Sequence, residues 1–391
     1  MKRIRLYLVL VFALVIASVV GCTQTSAPAT PSAAKPAEQA AGKPAEAKPT
    51  QEPAKKAEPT AAPKAEAKPA ASKDLPSTIA LGTSPTGAAY NSTATGVAKV
   101  ASQFSPIKVI VKPTAGPNVW APMLDSGEVH LGVGAGLDAG WAYTGGTGYD
   151  KAYKNIRVLL QGNQIVIGGF IVRADSDIKS IKDLKGKRVA SEYGGNKLMH
   201  VHATVFLESV GLTWNDVTPV PVTDINNGQK ALREGRVDAC FGGSPNTATT
   251  LETDAAIGVR ALNFGDIPPE EADKVPPDLV AKLRKHLPGE QVIKVKKEGY
   301  LKSDATLYQH AIYLWASAKL SPDAAYEITK ALYENDKELQ PIYDWLKGWK
   351  QATMFNPDPP APYHDGAIRF WKEKGLWTPE AEANQKKLLA Q

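Results

Sequence analysis

Apolar positions follow three regimes along the 391 residues. An apolar run from Leu6 to Val20 comes first, preceded by Lys2, Arg3 and Arg5 and closed by Gly21-Cys22. From Thr23 to Lys73 the chain is almost entirely Ala, Pro, Lys, Glu, Thr and Ser, with no apolar period and no aromatic residue. From Thr78 onward short apolar runs alternate with helical periodicities. Thr78–Gly82 predicts a strand, Ala88–Phe104 a helix, Ile107–Lys112 a strand, Asn118–Leu124 a helix and Val129–Val133 a strand. Buried strands are predicted at Val158–Leu160 and Ile165–Val172. Asp183–Ala190 reads as a short helix, a turn and a strand. A helix over Lys197–Val210, a strand over Val217–Val222, a helix over Ile225–Arg233 and a strand over Val237–Phe241 follow. The tail returns through a strand at Val292–Val295 and ends in amphipathic helices near Pro322–Leu339 and Ala367–Lys374. Strand–helix–strand alternation argues for an α/β fold with a largely parallel sheet. Two similar half-patterns predict two lobes with a cleft between them.

The first regime has the form of a secretory signal: a basic start, a short apolar stretch, and a small residue before a cysteine. Val19-Val20-Gly21-Cys22 also resembles a bacterial lipobox, which directs cleavage before the cysteine and attaches lipid to Cys22. The run is shorter than the roughly 20 apolar residues of a spanning helix, which argues against an uncleaved anchor. The second regime cannot bury enough surface to offset its ordering entropy and reads as a semi-extended spacer. The expected organisation is a signal over 1–22 and a linker over 23–75. A first lobe follows over 76–165, a second over 166–260, and a return to the first with C-terminal helices over 261–391. The expected location is the periplasm or the outer face of the cell membrane, with the chain lipid-anchored and monomeric.

The formal net charge of +6 suggests nucleic acid until it is located. The signal supplies three basic residues, and the linker eight Lys against five Glu; the remainder from Asp74 has 35 basic and 35 acidic residues. A neutral domain offers no electrostatic footprint for DNA or RNA. Only two cysteines occur, Cys22 and Cys240. With Cys22 lipidated no disulfide forms, so the exported domain rests on a large core. Cys240 lies in an apolar strand-like run and reads as a buried inert thiol.

Candidate chemistry collects at loops that lead into helices. Unpaired N–H groups and partial positive charge at a helix N-terminus favour carboxylates. Thr83, Ser84 and Gly87 lead into the first helix, where Tyr90 offers a hydroxyl and a ring. Tyr193, Gly194 and Asn196 lead into the helix that starts at Lys197, which is either a cationic ligand partner or a surface lysine. Trp120 begins the helix after the second strand. Asp138 and Trp141 follow a Gly-rich strand exit and either line the cleft or pack the crossover. Ser244 and Asn246 follow the strand ending at Phe241, at the carboxyl edge where open α/β sheets bind ligands. Arg173 has Asp175 and Asp177 as adjacent partners. His200 and His202, two apart on one helix, face different sides and are read as structural. No nucleotide-binding glycine motif and no nucleophile–base set is present, so neither an enzyme nor a cofactor or metal is expected.

Several segments resemble the TAXI family, the solute-binding proteins of TRAP transporters. They are Ile79–Tyr90 (IALGTSPTGAAY), Met123–Val133 (MLDSGEVHLGV), Ile178–Val189 (IKSIKDLKGKRV) and Ala231–Phe241 (ALREGRVDACF). Two more lie near the C-terminus: Ser321–Leu339 (SPDAAYEITKALYENDKEL) and Pro362–Gly375 (PYHDGAIRFWKEKG). The chain departs from that family at Gly194–Lys197, where a Gly-Ser-Gly-Thr turn is common, and at Ala89, where a second tyrosine is common. The resemblance implies a two-lobed, type II periplasmic-binding fold that captures a small organic acid, an amino acid or dicarboxylate, and delivers it to a TRAP membrane permease. It makes Asn118 a ligand-proximal residue, with an N-cap as its alternative, and matches His364 to a family position; with no nucleophile nearby, His364 is read as capping or bracing the last helix. An ABC-importer binding protein, or the sensor arm of a signalling system, is the rival expectation.

Overall fold

A computed structural model describes residues 75–391. The signal over 1–22, the lipidation site Cys22 and nearly all of the linker lie outside the described residues. The strands are β1 (Thr78–Thr83), β2 (Lys108–Pro113), β3 (Leu131–Ala135), β4 (Ile156–Ile167), β5 (Phe170–Arg173) and β6 (Arg188–Ser191). They continue as β7 (Thr218–Pro221), β8 (Ala239–Phe241), β9 (Val259–Ala261), β10 (Gln291–Val295) and β11 (Ala305–Ser317). The longer helices are α1 (Ala89–Phe104), α2 (Pro117–Ser126), α3 (Gly136–Thr144), α4 (Lys197–Glu208) and α5 (Ile225–Arg233). After them come α6 (Ala248–Ile257), α7 (Pro277–His286), α8 (Pro322–Glu334), α9 (Asp365–Glu373) and α10 (Pro379–Leu389).

Both sheets are built on one plan. The first runs β2-β1-β3-β11-β4, with β10 sharing the β3 edge of the long β11; the second runs β7-β6-β8-β5-β9. In each, three parallel strands are followed by an antiparallel strand: β11 against β3 and β4, and β5 against β8 and β9. This is a two-lobed α/β architecture. It places the loops after β1, β6 and β8 at the cleft. α8 packs against α1 and α9 over the first lobe, and among the described residues no helix is long and apolar enough to cross a membrane.

Two expectations are corrected here. Val158–Leu160 belongs to the twelve-residue β4. The run Ile165–Val172 is not one strand: Ile165–Ile167 ends β4 in the first lobe, and Phe170–Val172 opens β5 in the second. The glycine pair between them explains the break. Gly169 has φ +63°, and a Cβ on Gly168 would lie 2.0 Å from the Gly243 carbonyl oxygen, so only glycine lets the chain turn from lobe to lobe there. The thirteen-residue β11 was missed altogether. Its residues are buried almost throughout, so no alternation marks it.

Hydrophobic burial explains the remaining residues with little chemistry. Cys240 is fully buried, and burial pushes its thiol well up. Arg173 is occupied by Asp175 at 3.1 Å. His364 accepts the Gly366 N–H through Nδ1 and so caps α9, as expected, although α10 follows it.

Candidate ligand-binding cleft

Side-chain caps are distributed unevenly over the helices. Asp224, Ser321, His364 and Thr378 cap α5, α8, α9 and α10. The N-cap side chains of α1, α2, α3, α4, α6 and α7 make no cap, and the N-termini of α1, α4 and α6 converge on one cavity. Ala88, Ala89 and Tyr90 line it from α1, Asn196 and Met199 from α4, and Thr247 and Thr249 from α6. The positive ends of three helix dipoles therefore face the same space, with the first N–H of α4, that of Lys197, already taken by the Asn118 Oδ1. Ser84 and Ser244 add hydroxyls, while Ile165 to Gly168, Ile225 and Phe241 to Gly243 make most of the wall apolar. No charged side chain lines the cavity. Its volume is about 50 Å³, room for roughly four water-sized groups.

Of the residues read from the sequence, Ser84, Tyr90, Asn196 and Ser244 come together here. The Ser84 hydroxyl and the Asn196 Oδ1 are buried without a hydrogen-bond partner, and the Ser244 hydroxyl donates to the Val166 carbonyl. Thr83 is buried beneath the loop, its carbonyl accepting from the Thr114 N–H at 2.9 Å. Gly87 packs against Thr249 of the other lobe.

The other candidates have different jobs. Trp120 is fully buried in the first lobe, edge-on to Trp315 with ring centroids 4.7 Å apart, and does not reach the cleft. Trp141 lines a separate groove with Thr147, Val201 and His286. Tyr193 is fully buried in the second lobe, where its hydroxyl accepts the Phe241 N–H at 2.8 Å. It and Glu192 hold left-handed backbone, φ +46° and +64°, where non-glycine residues are rare. Gly194 donates to the Val222 carbonyl and stays outside the cavity. Asn246 bonds Glu298 in a neighbouring groove. Trp120 and Tyr193 face inward because their lobes offer an apolar interior on that side, a choice that sequence position does not encode.

Asn118 and Lys197 join the lobes. The Asn118 Oδ1 accepts the Lys197 backbone N–H at 2.8 Å, its Nδ2 donates to the Gly148 carbonyl at 2.8 Å, and its own N–H donates to the Gly195 carbonyl at 3.2 Å. The Lys197 side chain is exposed, and it is the backbone of that residue that takes part. Asn226 adds a second tie, donating to the Thr86 carbonyl at 3.1 Å. The cleft is thus held closed by amide side chains.

Behind the wall lies a buried polar cluster. The Tyr90 hydroxyl meets His310 Nε2 at 2.9 Å, and His310 Nδ1 meets Glu290 Oε1 at 3.1 Å. His202 stacks on His310 and bonds the Tyr308 hydroxyl through Nδ1 at 2.8 Å. Burial holds His202 well below the ordinary imidazole range, with its neighbour His310 acting in the same direction, so it is neutral. Asp138 sits close by, fully buried, accepting from the Tyr149 hydroxyl at 2.8 Å. Burial pushes its carboxyl up to about 7 against the opposing effects of that hydrogen bond and of His310. Asp138 shapes the electrostatics behind Tyr90 without lining the cavity.

Sequence reasoning missed Ile165 to Gly168, Met199, Thr247 and Thr249. The first group sits where the apolar run meets Gly168-Gly169, a detectable break. The two threonines open α6, whose Thr- and Ala-rich sequence carries no apolar stripe.

Among solved structures the chain is similar to the alkanesulfonate-binding protein SsuA from Xanthomonas axonopodis pv. citri. Identity is 15%, with 78% of this chain and 96% of that chain covered, at a TM-score of 0.41. It is also similar to the periplasmic aliphatic sulphonate binding protein SsuA from Escherichia coli, at 16% identity with 80% and 92% covered and a TM-score of 0.39. A putative sulfonate-binding SsuA from Methylobacillus flagellatus KT matches at 18% identity, with 81% and 96% covered and a TM-score of 0.41. The model of the NMT1-like family matches residues 81–375, and the chain belongs to that family.

Proposed function

We propose that this protein is an extracytoplasmic solute-binding protein that captures a small organic acid between its lobes and delivers it to a membrane transporter. The convergence of three uncapped helix N-termini on one apolar cavity carries the reading. Such a site stabilises a carboxylate with N–H groups and partial charges alone, and its apolar wall takes the rest of the solute. With no second cluster of donors in the lining, a single carboxylate on a small apolar body fits better than a dicarboxylate. Amide ties between the lobes supply the closed state that hinge motion would reach on binding. The segments resembling TAXI proteins near the C-terminus form α8 and the His364-capped α9, which favours a TRAP permease as the partner. An ABC permease encoded beside this chain would instead favour the rival reading.

Titration calorimetry of the full-length protein against short monocarboxylates, amino acids and dicarboxylates tests the ligand. Saturable binding of at least one acid is expected, with affinity about fivefold weaker in Asn118→Ala, because the one side-chain bond that crosses the lobes, to the Lys197 N–H, contributes about 1 kcal/mol net and exists only in the closed form. Absence of saturable binding to every acid would sink the carboxylate assignment. The membrane attachment rests on residues 1–22, with Cys22 as the lipidated residue. Cys22→Ser is expected to move the protein from the membrane to the soluble fraction with its ligand affinity intact, and persistence in the membrane fraction would refute the anchor.

A further inference from the structure

We propose that His202, Glu290 and His310 form a site for one divalent transition-metal ion of the zinc class, set directly behind the ligand cleft. One potential ligand atom from each residue lies within 4.8 Å of the others. The three residues come from different places in the fold: His202 from α4 of the second lobe, Glu290 from the turn before β10, and His310 from β11 of the first. All are buried, at 0%, 2% and 4% exposure respectively.

Hydrogen bonding explains half of this cluster and leaves the other half open. The contact between His310 Nδ1 and Glu290 Oε1 is an ordinary buried pair. His202 Nε2 and Glu290 Oε2, however, are buried with no partner. Buried polar atoms left without a partner are rare in folded proteins, and a cation held between the three residues would satisfy both.

The surroundings fit a metal as well. The far nitrogen of each histidine is engaged by a tyrosine hydroxyl, His202 Nδ1 by Tyr308 at 2.8 Å and His310 Nε2 by Tyr90 at 2.9 Å. Such outer hydrogen bonds fix the ring orientation; they leave His202 Nε2 free to ligate, while His310 Nδ1 would exchange its contact with Glu290 Oε1 for the ion. The 3.1 Å between His310 Nδ1 and Glu290 Oε1 is close to the separation of about 3.4 Å that two ligands about 2.1 Å from a tetrahedral ion would have. Two imidazoles and one carboxylate suit zinc, cobalt or nickel and disfavour calcium and magnesium, which take oxygen ligands. Three protein ligands leave a fourth position for water. A metal here ties α4 to β11 and braces Tyr90, and the solute need not touch it. The site stands independently of the ligand assignment.

The test is equilibrium dialysis of the full-length protein, stripped with chelator, against zinc alone, with bound metal counted by mass spectrometry. We expect one equivalent per chain, and a rise in melting temperature on loading. Glu290→Gln keeps the size of the side chain and its contact with His310 but removes the anionic ligand, and should weaken zinc binding about 100-fold or more. His202→Asn should do the same, while His200→Ala, on the outward side of the same helix, should bind like the parent. Equal binding by parent, Glu290→Gln and His202→Asn would overturn the site, as would no stoichiometric binding. Should the variants fail to fold, X-ray absorption of the zinc-loaded parent decides: two imidazole ligands in the first shell support the proposal, and any other first shell refutes it.

Discussion

Asp138→Asn is expected to remove a pH dependence of stability worth about 4 kcal/mol between pH 4 and pH 7. In the folded protein burial holds this carboxyl at about 7, against an ordinary value of 3.8. Between those two values the folded state keeps a proton that the unfolded state has released. The unfolded state therefore binds fewer protons, and stability falls as pH rises through this window, by about 1.4 kcal/mol for each unit. Below pH 4 both states are protonated, and above pH 8 both are ionised, so the contribution is flat at either end. Asn copies the protonated carboxyl and still offers an oxygen to the Tyr149 hydroxyl. Urea unfolding of parent and variant at pH 4.5 and 7.5 should show the variant gaining on the parent as pH rises. Buried His202 acts in the opposite direction, since its lowered value makes stability fall as pH drops below its ordinary range. The difference between the two proteins is thus the quantity to read, and parallel pH profiles would disprove the buried, protonated Asp138.

Trp120→Ala should cost about 3–5 kcal/mol, the range for deleting a large buried aromatic. The reason lies in the strands beneath it. A Cβ on Gly82 of β1 would come 2.8 Å from the indole, and one on Gly132 of β3 would come 2.2 Å from it. The ring thus occupies space that two glycines leave open, with Trp315 closing the far side. Gly132→Ala should itself cost about 1–3 kcal/mol by overpacking. Combined, the two substitutions should cost less than the sum, because the added methyl enters the space the indole vacated. Chemical denaturation of the two single variants and the double variant checks this. Strict additivity would mean that Trp120 does not lie on Gly132.

Local sequence carried a good part of the architecture. α1 and α5 were readable to within a residue or two because each has a buried and a wetter face, so its period survives in the sequence, and β1 as a short apolar run bounded by a turn. β11 and α3 were not. The first is buried on both faces, and the second is a short helix whose Gly136 and Gly140 sit against Tyr313 and Pro360. Neither displays an amphipathic period. Ser84, Tyr90, Asn196 and Ser244 were legible at the cleft for a topological reason: strand ends and the loops after them must lie at the carboxyl edge of a sheet. Trp120, Trp141 and Tyr193 stand in equally suitable positions, and all three face elsewhere.

His202 marks the boundary most clearly. Its two-residue spacing from His200 correctly put the two rings on different faces of α4. That spacing carried no information about what His202 meets, since Glu290 and His310 lie far along the chain. By itself the sequence determined the export-like start, the neutral folded domain, the two α/β lobes and the loops that border their cleft. These follow from composition and from periodicities a few residues long. The tertiary structure alone decided which side chains turn into the cleft, which amides tie the lobes, and which buried groups are left with unshared lone pairs. Those depend on contacts between distant segments, where packing and hydrogen-bond satisfaction, rather than local preference, set the outcome.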